Sequence, residues 1–198
     1  MSGSVFLLAL GLLSGCAAQQ PDSASISTPQ IPKTSTPNDS PTPDTATNTA
    51  SPAPITAVPV GINCDEVMSA KALYDYNPNF AYIPNLPLQA GTQAQKVSAL
   101  QGISCSYENL SGGTTVSVAV AKVTPESLPS VLKELVATSK SVTNFGASDS
   151  IHGFFSNSSG LGVAQVVNGN YWIVAESSWF GTPEEASEFI AAAINATK

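Results

Sequence analysis

The chain of 198 residues contains no arginine, a single histidine, His152, and three cysteines, and only 11% of its residues are charged. Nucleic-acid phosphates are held mainly by clustered Lys and Arg. With seven lysines and a net charge of -7, the chain is not expected to bind nucleic acid. One histidine and no CxxC pair are too few ligands for a metal centre, so no metal or other cofactor is expected. No GxSxG elbow is present, and Gly160-Leu161-Gly162 lacks the further glycine and the lysine of a phosphate loop. Long apolar runs are missing too. The nine residues Val5 to Leu13, rising ~1.5 Å each in a helix, fall well short of the ~20 needed to cross a bilayer.

That short run ends in Leu13-Ser14-Gly15-Cys16, a cysteine behind two small residues. The order resembles the bacterial lipobox. The resemblance implies a lipoprotein signal peptide over residues 1–15, cleaved before Cys16, whose thiol receives a diacylglyceryl group. It places the chain at the cell membrane, lipid-anchored on the extracytoplasmic face. Residues 16–60 are then nearly all Ala, Ser, Thr, Pro, Asn, Gln and Asp, with repeated steps such as Ser40-Pro41-Thr42-Pro43 and Ser51-Pro52-Ala53-Pro54. So few large apolar side chains cannot offset chain entropy, and a disordered tether is expected. Its coil dimension is roughly 35 to 40 Å, and proline-type extension reaches about 130 Å.

Residues 61–198 form one expected domain, large enough to bury a core unaided. It holds eleven acids against six lysines, so contact with anionic lipid headgroups falls to the anchor alone. With Cys16 taken by lipid, Cys64 and Cys105 are an even pair in an oxidising compartment, and a disulfide is expected between them.

The pattern predicts an α+β class: an antiparallel sheet of about five strands flanked by helices. Asn63 or Cys64 starts a helix with Asp65 and Glu66 in its first turn and Val67, Met68, Ala70, Ala72 and Leu73 behind them. An apolar, proline-rich loop follows to Gln89, then a short helix from Thr92. Ile103 to Asn109 and Thr114 to Val123 have strand composition and should pair as a hairpin across Leu110-Ser111-Gly112-Gly113. Pro125 opens a helix to about Lys140, with Leu128, Val131, Leu132, Leu135 and Val136 on one stripe. Strands at Ile151 to Phe155, Gly162 to Val167 and Tyr171 to Ser178 precede a final helix, started by Thr182-Pro183-Glu184-Glu185.

The lipobox, the Thr/Pro/Ser tether, the Cys64-Asp65-Glu66 helix start, the Gly102-x-x-Cys105-x-Tyr107 strand opening and Tyr171-Trp172 before the Thr182-Pro183-Glu184-Glu185 helix together resemble a family of uncharacterised actinobacterial cell-surface lipoproteins, a domain of unknown function. The resemblance covers residues 60–198 and implies an envelope location and a disulfide. It implies no catalytic residue.

Chemistry-bearing residues are few. His152, with a serine and Asp149, is the one candidate hydrolytic set, though a lone histidine beside a strand is ordinarily a surface or packing residue. Glu184 and Glu185 read better as helix-capping residues than as paired catalytic carboxylates. The aromatics carry more. Tyr76 and Tyr82 near the first loop, and Trp179 after the last strand, are the candidate binding residues, with core packing as the competing explanation. The expectation is a non-enzymatic domain that binds an envelope protein, peptide, glycan or lipid. The alternatives are an envelope hydrolase using His152 and a structural or scaffold lipoprotein.

Overall fold

The computed structural model describes residues 53–146, 148 and 150–198. The signal peptide, Cys16 and nearly all of the tether lie outside the described residues, as does Asp149.

Eight antiparallel strands form one sheet in the order β2-β3-β4-β8-β7-β6-β5, with β1 beside β4. They are β1 (Ala57–Val58), β2 (Phe80–Tyr82), β3 (Ile103–Asn109), β4 (Thr114–Val123), β5 (Lys140–Val142), β6 (Ile151–Ser158), β7 (Leu161–Asn168) and β8 (Tyr171–Ser177). The α+β class stands, but the expected count of about five strands is corrected to eight. The three strands not foreseen are two or three residues long, too short to show a period of two, and each lies on the margin of the sheet, where one neighbour is enough. β2 falls in the stretch expected to be loop. β1, on the tether side of residue 61, pairs through Ala57↔Val123 and Val58↔Lys122.

Helices cover both faces. On one side lie α1 (Cys64–Val67), α2 (Ala70–Tyr76) and α5 (Pro183–Ala196), packing Val67, Leu73, Phe189 and Ile190 against Val116, Val118, Val120, Ile173 and Val166. On the other lie α3 (Gln93–Ser98) and α4 (Leu128–Thr138), packing Ala94, Val97, Val131 and Leu135 against Ala119, Ala121, Trp172 and Val174. Two cores, one per face, explain why the central strands read as near-continuous apolar runs. Small residues at Ala119 and Ala121 leave room for α3 to lie close to β4.

Turn chemistry sets the register. In the β6–β7 turn, Ser159 and Gly160 both take positive φ, 53° and 78°, as a two-residue hairpin turn of the primed kind requires. β3 and β4 pair from Ile103↔Val120 to Asn109↔Thr114, the expected hairpin. The expected first helix is instead two. Asn63 caps α1 by accepting from the amides of Asp65 and Glu66, Met68 turns extended, and Ser69 caps α2 by accepting from the amide of Ala72. A disulfide joins Cys64 to Cys105, Cα to Cα 5.5 Å, tying the start of α1 to the middle of β3. No helix of the described residues is long and apolar enough to cross a membrane.

Candidate functional site

The three candidate aromatics are linked through the buried rings of Phe80, Tyr107 and Phe189. Tyr76 closes α2 half-buried, its ring 5.1 Å from Phe189 of α5 and 5.7 Å from Phe80 of β2, in both cases edge to face. Trp179, just past β8, lies 5.4 Å from Phe80 at an interplanar angle of 35° and is 37% exposed. Tyr82, two residues along β2 and so on the same face as Phe80, is 40% exposed with its ring 5.9 Å from Tyr107. Phe189 is the hub behind them, 5.7 Å from Tyr107 and 6.1 Å from both Phe80 and Phe180. Pairs at these separations favour one another beyond the area they bury, so the exposed rings are backed by a packed aromatic base.

Tyr76 has its phenol pKa raised above the usual tyrosine value, by burial first and then by the charges of Glu188 and Glu185. Tyr107 is held well above that value by burial, with Tyr82 and Asp65 adding to it, and its hydroxyl has no hydrogen-bond partner among the described residues. Surface cavities of about 440, 490, 350 and 540 Å³ are among those in the described residues, and none of these is lined by Tyr76, Tyr82 or Trp179.

The residues considered for catalysis are scattered. His152 is exposed on β6 opposite Val167, and its imidazole makes no side-chain hydrogen bond among the described residues. Glu185 closes the start of α5, its Oε2 accepting from the amides of Gly181 at 2.6 Å and Thr182 at 3.0 Å. Glu184 accepts from Asn144 Nδ2 at 2.7 Å. Its pKa lies below the usual glutamate value, through its own backbone amide first, then the Thr182 side chain and Asn144. Both glutamates therefore serve the helix start. Among the described residues no three His, Cys, Asp or Glu side chains are grouped to hold a metal ion.

One acidic residue escaped the sequence reading. Glu176 of β8 is 5% exposed, on the α3 side of the sheet, and its Oε2 accepts from the amide of Ala94 at 3.0 Å. It sits directly across from Ser117 of β4 and Val163 of β7. It lines the 490 Å³ cavity together with Leu86, Pro87, Thr114, Thr115, Ser117 and Ser178. This cavity shares Gln89 and Leu161 with the 350 Å³ cavity, which includes Gln93 and Gln165, so the two adjoin as one trough. The signal was present in the sequence: in Trp172-Ile173-Val174-Ala175-Glu176, the acid falls on the same alternation as Trp172 and Val174.

No protein-family model matches the chain, and no curated protein or solved structure matches it either.

Proposed function

We propose that the chain is a membrane-anchored extracytoplasmic lipoprotein whose globular domain binds a partner in the cell envelope without catalysing a reaction on it. The location rests on the lipobox-like Leu13-Ser14-Gly15-Cys16, the tether and the resemblance to actinobacterial surface lipoproteins. The observation that carries the binding role is the exposed Trp179 indole braced on Phe80 and, through it, on Phe189. A large amphipathic ring already fixed by the core costs little further entropy when a partner covers it, and such rings dominate contact energetics.

Two measurements on the full-length protein in its native envelope test this. Mass spectrometry of the mature N-terminus should find a diacylglyceryl group on Cys16, with two acyl chains giving a firm hold where one is marginal. A photo-crosslinking side chain at position 179 or 82 should capture one discrete envelope component, and Trp179→Ala should weaken that capture about tenfold or more, while His152→Ala leaves it unchanged. An unmodified Cys16 would remove the anchor. Hydrolytic turnover abolished by His152→Ala would replace the binding role with the enzyme, and no capture from either position would leave a scaffold.

A further inference from the structure

The trough beside α3 lies apart from the aromatic cluster, and neither of its two cavities is lined by Tyr76, Tyr82 or Trp179. Its volume of about 490 Å³ at Glu176 is in the range that takes small molecules, and it contains a deeply buried carboxylate. A carboxylate accepts up to about four hydrogen bonds. Glu176 receives one from the protein, at Oε2 from Ala94, and Oε1 has no partner among the described residues. A buried charge held this way is costly unless a counter-charge joins it.

Among the described residues no lysine or histidine side chain is supplied at this place. Lys96, the lysine of α3, is engaged by Glu134 and lies 5.3 Å from the Trp172 ring centroid. No lysine or histidine lines either cavity of the trough. The wall around Glu176 is instead side-chain hydroxyls, Thr114, Thr115, Ser117 and Ser178, with Leu86 and Pro87 as its apolar part. The carboxylate of Glu176, with Oε1 unpaired among the described residues, calls for a ligand that donates hydrogen bonds and is positively charged; an anion would be repelled.

We infer that the trough binds a small organic ammonium compound, its protonated amine donating to Glu176 Oε1 and the rest of the molecule lying along the hydroxyl wall. An amino sugar and an aliphatic diamine both present this chemistry. The hydroxyl wall suits the sugar, and the carboxylate suits either.

Isothermal titration of the full-length protein in detergent with D-glucosamine, D-glucose and 1,4-diaminobutane tests it. At least one amine should bind, and glucose, which lacks the charge, should bind about tenfold or more weakly than glucosamine or not at all. The tighter of the two amines identifies the source. Glu176→Gln keeps an oxygen for the Ala94 amide but removes the charge, so amine affinity should fall about tenfold or more with the melting temperature little changed. Ser178→Trp changes an exposed residue and fills the trough without touching Glu176, so it should abolish binding even if the first variant folds poorly. Trp179→Ala should leave amine binding intact. The inference is overturned if neither amine binds, if glucose binds as well as glucosamine, or if binding survives Ser178→Trp or a folded Glu176→Gln.

Discussion

Tyr107 is the residue whose chemistry is least reconciled with its surroundings. Its side chain is fully buried and its hydroxyl lacks a partner among the described residues, an arrangement that costs about 1–3 kcal/mol relative to a satisfied or absent hydroxyl. Tyr107→Phe keeps the ring contacts with Tyr82 and Phe189 and removes that cost, so thermal unfolding at neutral pH should shift upward by a few degrees. The alkaline limb gives a second reading. Tyr107 and Tyr76 both titrate above the usual tyrosine value of 10.0 in the fold, so their neutral forms support the fold fully below that pH. As pH rises above it, the unfolded chain loses those protons first and stability falls. Tyr107→Phe should flatten that decline and leave the smaller part due to Tyr76. A lower melting temperature in the variant would show that the hydroxyl has a role the geometry does not reveal.

At the level of elements, the exit of β8 is held against β7 by a contact that only glycine permits. A Cβ on Gly162 would fall 1.9 Å from the carbonyl oxygen of Phe180 and 2.6 Å from the Phe180 Cβ. Close by, Asn157 Nδ2 donates to the same carbonyl at 2.9 Å, and Ser177 Oγ donates to the carbonyl of Thr115 at 2.8 Å and accepts from the Trp179 amide at 3.1 Å. The segment carrying Trp179 is thus pinned from β6, through Asn157, and from β4, through Thr115. Gly162→Ala should destabilise the protein by about 1–3 kcal/mol or more, since backbone and not a flexible side chain must yield. Denaturant melts would show it as a lower midpoint with an unchanged slope. Helix starts were readable because capping is local. Asn63, Ser69, Thr92 and Thr182 all sit at N-caps, three of them where the sequence places a start, while Ser69 was hidden inside a continuous apolar pattern.

For the whole molecule, the Cys64–Cys105 bridge closes a loop of sequence separation 41 and links a helix on one face of the sheet to β3. On the chain-entropy account this stabilises the fold by about 4 kcal/mol, less whatever native strain it carries. Reduction should therefore lower the melting temperature by several degrees or more, read by calorimetry with and without a thiol reductant. An unchanged melting temperature would mean that β3 and α1 are held by packing alone. By itself the sequence determined what depends on neighbours along the chain: the β3–β4 hairpin, the caps of α1, α3 and α5, the apolar stripe of α4, the even cysteine pair and the α+β class. The tertiary structure decided what depends on residues far apart. Short strands β1, β2 and β5 exist because a longer strand offers them a hydrogen-bonding edge, not because of their own composition. Helices on both faces turned the alternation in β4 from one buried side into two. Tyr76, Tyr82 and Trp179 were legible as aromatics, but only packing on Phe80, Tyr107 and Phe189 linked them through one set of buried rings. Glu176 became a site only when α3 and the Leu86–Pro87 loop closed over it, because a carboxylate's chemistry is set by the dielectric and the partners around it, and both come from other parts of the chain.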